Sequence, residues 1–244
     1  MKECSKSVAR RLSDPEFATR FLVGEGIDIG GLPDPLELYV ELFPRIASVR
    51  TWDWDDGDAQ FMASVSDSAY DFVHSSHCLE HLRDPHEGLQ NWVRICKPGG
   101  FVVVTLPDED LYEQGVFPST FNDDHKWTFT INKHEGWSPS SIRVFELIDG
   151  LGDSVAVWRL QLVTRGYRFN LPRYDQTLTP VAESAIEFVL RKRSEADINV
   201  GGHARSDIRL AESTTAHLNQ YLDDWQAAKS ACPNPFQNSS PLPG

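Results

Sequence analysis

Residues 26–31, Gly-Ile-Asp-Ile-Gly-Gly, decide how this chain is expected to fold. They close an apolar stretch that begins near residue 21, and they combine one carboxylate with two adjacent glycines. Glycine adopts left-handed backbone conformations at little cost, and its missing side chain lets the backbone approach a bound molecule closely. The segment therefore predicts a strand over residues 21–29 that turns sharply beside a ligand. An ordinary glycine-rich turn has the same composition, so the rest of the chain must separate the two interpretations.

The composition indicates one domain with additions and argues against several classes of partner. The chain has 244 residues, of which 40% are hydrophobic, and a formal net charge of −13. Proteins that bind a nucleic-acid backbone or an anionic membrane present basic faces, so we expect neither partner. No apolar run reaches the ~18 residues of a membrane span, and the first residues lack the apolar core of a secretory signal. With four scattered cysteines and no Cys-x-x-Cys pair, the sequence predicts a cytoplasmic protein with reduced thiols.

Strand and helix patterns alternate along the first half of the chain. Their order is strand, helix, strand, strand, helix, strand, with short Gly/Pro connections, which is typical of a doubly wound parallel sheet. Two later strands are expected to complete the sheet as an antiparallel edge pair. The predicted strands cover residues 21–29, 47–54, 70–76, 101–106, 154–165 and 185–192. The predicted helices cover residues 5–20, with a break near Asp14-Pro15, and residues 36–43, 85–96 and 139–150.

Asp53 ends the second predicted strand, 25 residues after Asp28. In nucleoside-binding α/β sheets an acid at this distance takes the ribose hydroxyls, because a carboxylate accepts two hydrogen bonds from a vicinal diol. The neighbouring acids Asp55, Asp56 and Asp58 are also compatible with a solvated acidic turn. A dinucleotide would require a full Gly-x-Gly-x-x-Gly turn for its pyrophosphate, and that pattern is missing. We therefore expect a nucleoside-containing cofactor other than nicotinamide.

Two further segments carry a family resemblance. Tyr-Asp-Phe-Val-His-Ser-Ser-His-Cys-Leu-Glu-His-Leu (70–82) and Arg-Ile-Cys-Lys-Pro-Gly-Gly-Phe-Val-Val-Val-Thr (94–105) follow Asp-x-Gly at 28–30. In this order and spacing, they resemble the class I S-adenosylmethionine-dependent methyltransferases of the methyltransferase-11 type over residues 22–112. The resemblance implies an α/β fold with a Rossmann-like, doubly wound, mostly parallel seven-stranded sheet and an antiparallel C-terminal edge strand. It also implies S-adenosylmethionine as the cofactor.

The resemblance also implies roles for individual residues. The glycine-rich motif would lie against the amino-acid and ribose portions of the cofactor, and Asp28 would pair with its ammonium group. Asp53, or alternatively Asp55, would bind the ribose. The implied cofactor-binding residues are Gly26, Asp28, Gly30, Gly31, Asp53, Asp58 and Ala59 at the adenine edge, and Ser76 and His77 at the methionine end. The chain departs from the family where Leu32 replaces a third glycine and Pro33 follows.

The candidates for chemistry follow the predicted strands. Methyl transfer requires aligned donor and acceptor, and a hydroxyl acceptor must also lose a proton, so histidines are the first candidates for a base. Of these, we select His125 as the base or acceptor-orienting residue, assisted by Asp108 or Asp124. The same loops allow a second interpretation, in which Asp108, Asp110, Asp124 and His125 bind a divalent metal such as Mg²⁺ or Mn²⁺.

The expected organisation has three parts: an N-terminal helical segment (1–20), a methyltransferase domain (21–193) and a C-terminal region (194–244). Residues 107–140 are expected to form an acceptor-side insertion or lid. The last region combines an amphipathic helix over residues 207–229 with a disordered tail, and that helix would dock on its own domain or on a second copy in a homodimer.

The function expected from the sequence is methyl transfer from S-adenosylmethionine to an oxygen of a small molecule or saccharide. Three alternatives remain open. One is a cofactor-binding pseudoenzyme, because the chain lacks the third glycine of the family's motif. The second is an N-methyltransferase that acts on a small molecule or a protein. The third is a nucleic-acid methyltransferase, which the acidic charge balance disfavours.

Overall fold

The computed structural model describes residues 3–205, 222–228 and 230. The chain divides into two compact units, Met1–Gly202 and His203–Gly244. In the second unit, residues 222–228 are helical, within the helix expected over 207–229. The remainder of that helix and the expected disordered tail lie outside the described residues. Within the described part of the chain, no helix combines the length and apolar character needed to cross a membrane.

The first unit is built on a six-stranded sheet. Its strands run in the order β2-β1-β3-β4-β8-β7, and all neighbours pair in parallel except β8, which is antiparallel to both β4 and β7. A separate two-stranded parallel pair is formed by β5 and β6. The strands are β1 Gly24–Ile29, β2 Ile46–Trp52, β3 Tyr70–Ser76, β4 Cys96–Pro107, β5 Thr128–Thr130, β6 Ser141–Arg143, β7 Val155–Val163 and β8 Ala185–Lys192.

This topology confirms the Rossmann-like, mostly parallel α/β fold, with two differences in detail. The sheet has six strands among the described residues instead of the seven that the family resemblance implies, and these six correspond to the strands predicted individually from the sequence. The antiparallel strand β8 lies one position inside the edge, and β7 forms the edge itself. The C-terminal pair is therefore a hairpin-like addition in which only one strand opposes the direction of the sheet.

The sheet separates two hydrophobic cores. Along β4, Val102 and Val104 face a core shared with α2 (Pro85–Ile95), whereas Val103 faces a core shared with α1 (Glu3–Arg11) and the helical turn Phe17–Phe21. This alternation follows from the two-residue period of side chains along a strand. Because both faces are covered, β4 is apolar from Phe101 to Val104, as expected for a buried parallel sheet. The other α-helices are α3 (Val144–Asp149) and α4 (Glu195–Asn199).

The helix expected after the glycine turn is a 3₁₀ helix, Leu36–Leu42. It is bounded by Pro35 and by Phe43-Pro44, and Leu36 is its only buried residue. A seven-residue segment with so little buried surface gains little from packing, which is the main stabilising contribution to helices in proteins. Farther along, the helix expected over 139–150 is shorter, because β6 occupies its first part.

A chain of buried polar side chains ties α1 to the sheet. Arg11 donates hydrogen bonds to Glu187 (2.7 and 2.9 Å), to Thr105 Oγ1 (3.1 Å) and to His74 Nε2 (2.9 Å). His74 Nδ1 lies 2.6 Å from Asp28 Oδ1. Since a guanidinium group can only donate, His74 accepts at Nε2 and carries its proton on Nδ1, from which it donates to Asp28. We name the residues Glu187, Arg11, His74 and Asp28 the buried polar chain.

Glu187 anchors the buried polar chain at its far end. Burial raises the pKa of this carboxyl, but the charges and hydrogen bonds of Arg11 and Arg10 outweigh burial and hold the pKa at about 2. The folded protein therefore strongly favours the charged carboxylate.

Glu187→Gln should destabilise the protein by about 3–5 kcal/mol at neutral pH, because it leaves the buried Arg11 guanidinium without its carboxylate, whereas Arg10 keeps Glu183 as a partner. The pKa of about 2 in the folded protein lies below the ordinary glutamate value of 4.5. The difference in unfolding free energy between wild type and variant should therefore be full above pH 4.5 and narrow as the pH falls toward 2. Urea titrations at several pH values measure this difference, with exposed Glu41→Gln as the control. A difference that does not change with pH would show that Glu187 is not the titrating group.

Candidate active site

Two adjoining cavities open at the carboxyl ends of the parallel strands, where α/β sheets bind their ligands. The larger has a volume of about 690 Å³ and the smaller about 160 Å³. They share five wall residues, Gly30, Leu32, His77, His81 and Asn122. The larger cavity lies in the range typical of small-molecule sites. Because the two cavities share these five wall residues, a ligand in the larger cavity can reach into the smaller one.

The glycine turn forms the floor that both cavities share. Gly30 has a φ of +72°, and a Cβ there would lie 2.7 Å from the Cβ of Cys78. A Cβ on Gly31 would lie 2.6 Å from Asp28 Oδ2. Both positions therefore exclude a side chain, and the turn presents backbone to the cavities as the sequence predicts.

Gly26 has a different role from the one expected. It lies inside β1, and a Cβ there would lie 2.0 Å from the ring of Phe72 on the neighbouring strand. Gly26 is not among the residues that line either cavity. Its missing side chain makes room for a core aromatic ring, and we correct the expected cofactor contact accordingly.

Asp28 lines the smaller cavity, but both of its carboxylate oxygens already have protein partners. Oδ1 accepts from His74, and Oδ2 accepts from the Leu36 amide at 2.7 Å. The carboxylate thus links the buried polar chain to the segment after the turn. This arrangement supports a structural role for Asp28 in shaping the turn, in addition to the ammonium contact expected from the sequence.

Asp53 lies on the wall of the larger cavity, whereas Asp55 is exposed and not on that wall. The Asp53 carboxylate accepts from the Leu32 amide (3.0 Å) and from the Trp54 amide (2.9 Å). The first of these bonds joins the end of β2 to the glycine turn of β1. Of the two acids left open by the sequence, Asp53 is the one whose position fits a ribose contact.

Asp58 and Ala59 line the same cavity. Asp58 pairs with Arg83 at 2.9 Å, and the Ala59 carbonyl accepts from Trp92 Nε1 at 2.9 Å. Three large hydrophobic side chains also line this wall, namely Trp52, Trp54 and Leu82. The sequence analysis did not select them, although tryptophan beside the acidic turn is a visible signal for a surface on which a base can stack.

Ser76 and His77 line the smaller cavity after β3, as expected. Ser76 Oγ and His77 Nε2 are buried and have no hydrogen-bond partner among the residues that the structure describes. His77 has a φ of +55°, a conformation that is uncommon outside glycine and that concentrates at functional sites. Burial lowers the pKa of His77, but the Glu80 carboxylate outweighs burial, so the net shift is upward. Two unpaired polar atoms at one cavity suit a polar ligand.

Glu80 is the main site residue missing from the sequence-based selection. It is fully buried, lines the smaller cavity, and lies 3.4 Å from His77 Nδ1 without the alignment of a hydrogen bond. Burial raises the pKa of Glu80, but His77 and His81 outweigh burial and bring the pKa to about 2. The Leu-Glu-His-Leu motif contains this residue, but no pattern in the sequence shows that its carboxylate points inward.

His125 reaches the smaller cavity with a partner different from those expected. Its Nδ1 lies 2.7 Å from Glu113 Oε1, and its Nε2 lies 3.9 Å from Glu80 Oε1. Glu113 therefore takes the assisting position that the sequence assigned to Asp108 or Asp124. Asp124 instead lies beside His81, with its Oδ2 3.0 Å from His81 Nδ1.

Asp108 is not on the wall of either cavity. Its carboxylate accepts from the amides of Asp110 and Leu111 and so caps the helical turn Glu109–Glu113. Burial is the main cause that raises the pKa of Asp108 to about 6. This capping role replaces the catalytic one expected from the sequence.

The four residues expected to bind a metal do not meet at one point. Asp110 binds Lys133 (2.8 Å) and Trp137 (2.9 Å), while Asp108 caps its turn and Asp124 lies beside His81 and Lys126. Among these four, only His125 belongs to a group of converging donors in the described part of the chain. The expected set is therefore corrected.

Sequence and structure comparisons agree with the geometry. Residues 6–146 match the model of a methyltransferase-domain family, and the match covers more than half of the chain. No curated protein sequence matches the chain. Fold and family together define the chain as a class I S-adenosylmethionine-dependent methyltransferase. It belongs to the methyltransferase-domain family, and its cofactor is S-adenosylmethionine.

Two solved structures illustrate the shared fold. An S-adenosylmethionine-dependent methyltransferase from Archaeoglobus fulgidus is 18% identical, with a TM-score of 0.50 over 79% of this chain and 95% of the other. A protein that converts a disulfide bond into a thioacetal group during echinomycin biosynthesis is 13% identical, with a TM-score of 0.51 over 80% and 85%. At these identities, the likeness concerns the fold alone.

Gly30→Ala should weaken binding of S-adenosylhomocysteine at least about 10-fold, because the new Cβ meets Cys78 and displaces the cavity floor. Gly152→Ala is the matched control, since Gly152 also has a positive φ (+54°) but has nothing within 4 Å of the added Cβ. Both variants should lose about 1–2 kcal/mol of stability from backbone strain. Calorimetric titration with the product cofactor measures the difference. Equal affinities in the two variants would mean that Gly30 does not shape a cofactor site.

Proposed function

We propose that this enzyme transfers a methyl group from S-adenosylmethionine to an oxygen of a small molecule or saccharide. The observation that carries the proposal is the pair of joined cavities. The larger one has the volume and the acidic wall suited to a nucleoside, and the smaller one collects imidazole and carboxylate groups suited to a hydroxyl.

The larger cavity would hold the adenosine portion. Asp53 would accept hydrogen bonds from the ribose hydroxyls, and Asp58-Ala59 would lie at the adenine edge. The backbone of Gly30 and Gly31 would leave room where the two cavities meet. When bound, the cofactor supplies a methyl group activated by a positively charged sulfur.

The smaller cavity would receive the methionine end of the cofactor beside Asp28, Ser76 and His77, and the acceptor beside His125. His125 donates from Nδ1 to Glu113, because a carboxylate can only accept, so its Nε2 offers a lone pair toward the cavity. That nitrogen would accept a hydrogen bond from the acceptor hydroxyl and orient it. Aligning donor and acceptor in this way is the main catalytic contribution of a methyltransferase, because the methyl donor is already activated.

An amine acceptor is a second candidate, and one observation favours it. Glu80 places a buried carboxylate with no hydrogen-bond partner among the described residues at the smaller cavity. A protonated amine would pair with that charge, although it must lose a proton before it can attack the methyl group. A panel of hydroxyl and amine acceptors separates the two candidates.

Asp53→Asn should weaken S-adenosylhomocysteine binding about 10-fold, because one charged acceptor of the ribose diol becomes a neutral group. Asp55→Asn serves as the neighbouring control, since Asp55 is exposed and off the cavity wall. Calorimetric titration of wild type and both variants with S-adenosylhomocysteine measures the three affinities. A larger loss in the Asp55 variant would transfer the ribose role to that residue.

His125→Gln should reduce methyl transfer about 100-fold or more while cofactor affinity stays within about 3-fold, because the acceptor loses its orienting group. The assay incubates enzyme and methyl-labelled cofactor with fractionated small-molecule extract and follows label in product. His134→Gln is the control, since His134 is exposed and lines neither cavity. Full activity in a folded His125 variant would disprove its role, and absence of cofactor binding by wild type would disprove the function.

A further inference from the structure

Three side chains converge at the smaller cavity in a way that methyl transfer does not require. Glu80, His81 and His125 each offer one donor atom, and these atoms lie within 4.8 Å of one another. Glu80 Oε1 lies 3.9 Å from His81 Nε2 and 3.9 Å from His125 Nε2. We propose that Glu80, His81 and His125 bind one divalent transition-metal ion, and we name them the metal triad.

Both imidazoles are held in the tautomer that a metal requires. His81 Nδ1 hydrogen-bonds to the backbone oxygen of Asp124 (3.2 Å), and His125 Nδ1 lies 2.7 Å from Glu113 Oε1. A carbonyl or carboxylate oxygen can only accept, so each ring carries a proton on Nδ1, and in the neutral ring the lone pair is then on Nε2. Metal-binding histidines show this same arrangement, in which an oxygen partner orients the ring and raises its basicity.

The environment of the Glu80 carboxylate supports a metal site independently of the histidine geometry. Its carboxylate is fully buried, and neither oxygen has a hydrogen-bond partner within the described ranges 3–205 and 222–228. Besides the two ligand histidines, the titratable groups that interact with the Glu80 charge include His77, whose Nδ1 lies 3.4 Å away, Cys78 and Tyr112. A buried charge that is not hydrogen-bonded is costly, and coordination of a cation is one of the few ways to compensate it.

The backbone holds the two parts of the metal triad together. Glu80 and His81 lie on the 3₁₀ turn Leu79–His81 after β3, and His125 lies on the loop before β5. The Lys126 amide donates to the Glu80 carbonyl (2.9 Å), and Lys126 Nζ donates to the His81 carbonyl (2.7 Å). These two bonds fix the loop of His125 against the turn, so the three donors come together before any ion binds.

The donor set selects the kind of metal. Two imidazoles and one carboxylate suit Zn²⁺, Co²⁺, Mn²⁺ or Fe²⁺, whereas Mg²⁺ and Ca²⁺ prefer all-oxygen ligands. Tetrahedral coordination with bonds of about 2.1 Å places ligand atoms about 3.4 Å apart. The two 3.9 Å separations from Glu80 therefore need a contraction of about half an ångström, and the separation of the two histidine nitrogens, which is within 4.8 Å, needs a contraction of at most about 1.4 Å. Small side-chain rotations supply such movements.

The metal triad leaves room for a further ligand. All three residues line the smaller cavity, which opens toward the glycine turn and the larger cavity. A site with three protein ligands and an open position is typical of catalytic metal centres. If the proposed methyl transfer is right, the open position would take the acceptor hydroxyl and lower its pKa, and His125 would then act on the acceptor through the ion.

The test measures metal binding alone, with neither cofactor nor acceptor present. Full-length protein without a histidine tag is dialysed against chelator and titrated with Zn²⁺, Co²⁺ and Mn²⁺ in a calorimeter, and the visible absorption of the Co²⁺ form reports its coordination. We expect one ion per chain. Glu80→Gln and His81→Gln should each weaken Zn²⁺ binding at least about 100-fold, since loss of an outer-shell partner alone costs about 10- to 100-fold.

His134→Gln, which changes an exposed histidine, should bind Zn²⁺ as wild type does. Glu80→Gln keeps the side-chain size and removes the buried charge, and His81 is partly exposed, so at least one of the two variants should remain folded. Circular dichroism and the thermal unfolding midpoint verify this. Failure of wild type to bind one ion, or equal affinity in wild type and both folded variants, would overturn the metal triad.

The two proposals can fail separately. Wild type that binds Zn²⁺ through the metal triad but does not bind S-adenosylhomocysteine would support the metal site and contradict the proposed function. Conversely, protein that transfers methyl groups but takes up no ion when titrated with Zn²⁺, Co²⁺ and Mn²⁺ would support the function and overturn the metal site.

Discussion

The buried polar chain is the interaction on which the site depends. Glu187 on β8, Arg11 on α1, His74 on β3 and Asp28 on β1 are bonded in series across the sheet. Each member is buried, so the loss of one would leave its neighbours without compensation in a medium of low polarity. The series ends at Asp28 Oδ2, which holds the amide of Leu36. The position of the N-terminal helix and the shape of the glycine turn are therefore set by the same bonds.

This coupling makes the N-terminal segment part of the site. Arg11 is one end of α1, and residues at its other end, Glu3 and Cys4, line the smaller cavity beside Asp28. The sequence predicts a helix here, but it treats residues 1–20 as an addition to the domain. The structure places these residues in the same compact unit as the sheet. An amphipathic pattern shows that a helix has a buried face, and it does not show that the helix also closes a cavity.

The predictable part of the molecule is the part that local chemistry determines. The strand pattern, the glycine turn and Asp53 at the end of β2 each follow from neighbouring residues. Features that depend on register across the sheet are not visible in the sequence. Gly26 has its role because Phe72 lies opposite it on β3, and the antiparallel strand lies inside the edge because β7 adds beyond it. The pairing of His125 with Glu113 depends on a loop without periodicity, where several acids were equally suitable.

The two cavities differ in how their carboxylates are compensated. In the larger one, Asp53 accepts two backbone amides and Asp58 pairs with Arg83, and both remain at least partly exposed. Their charges are stabilised before any ligand arrives, so this wall suits recognition. In the smaller one, the fully buried Glu80 has no hydrogen-bond partner among the described residues, and the groups within ion-pair distance of it there are the imidazoles of His77, His81 and His125. Its compensation therefore depends on what those rings hold, whether a proton or a cation. A charge that the protein has not yet compensated can take part in a reaction, which favours the smaller cavity as the site of the proposed methyl transfer.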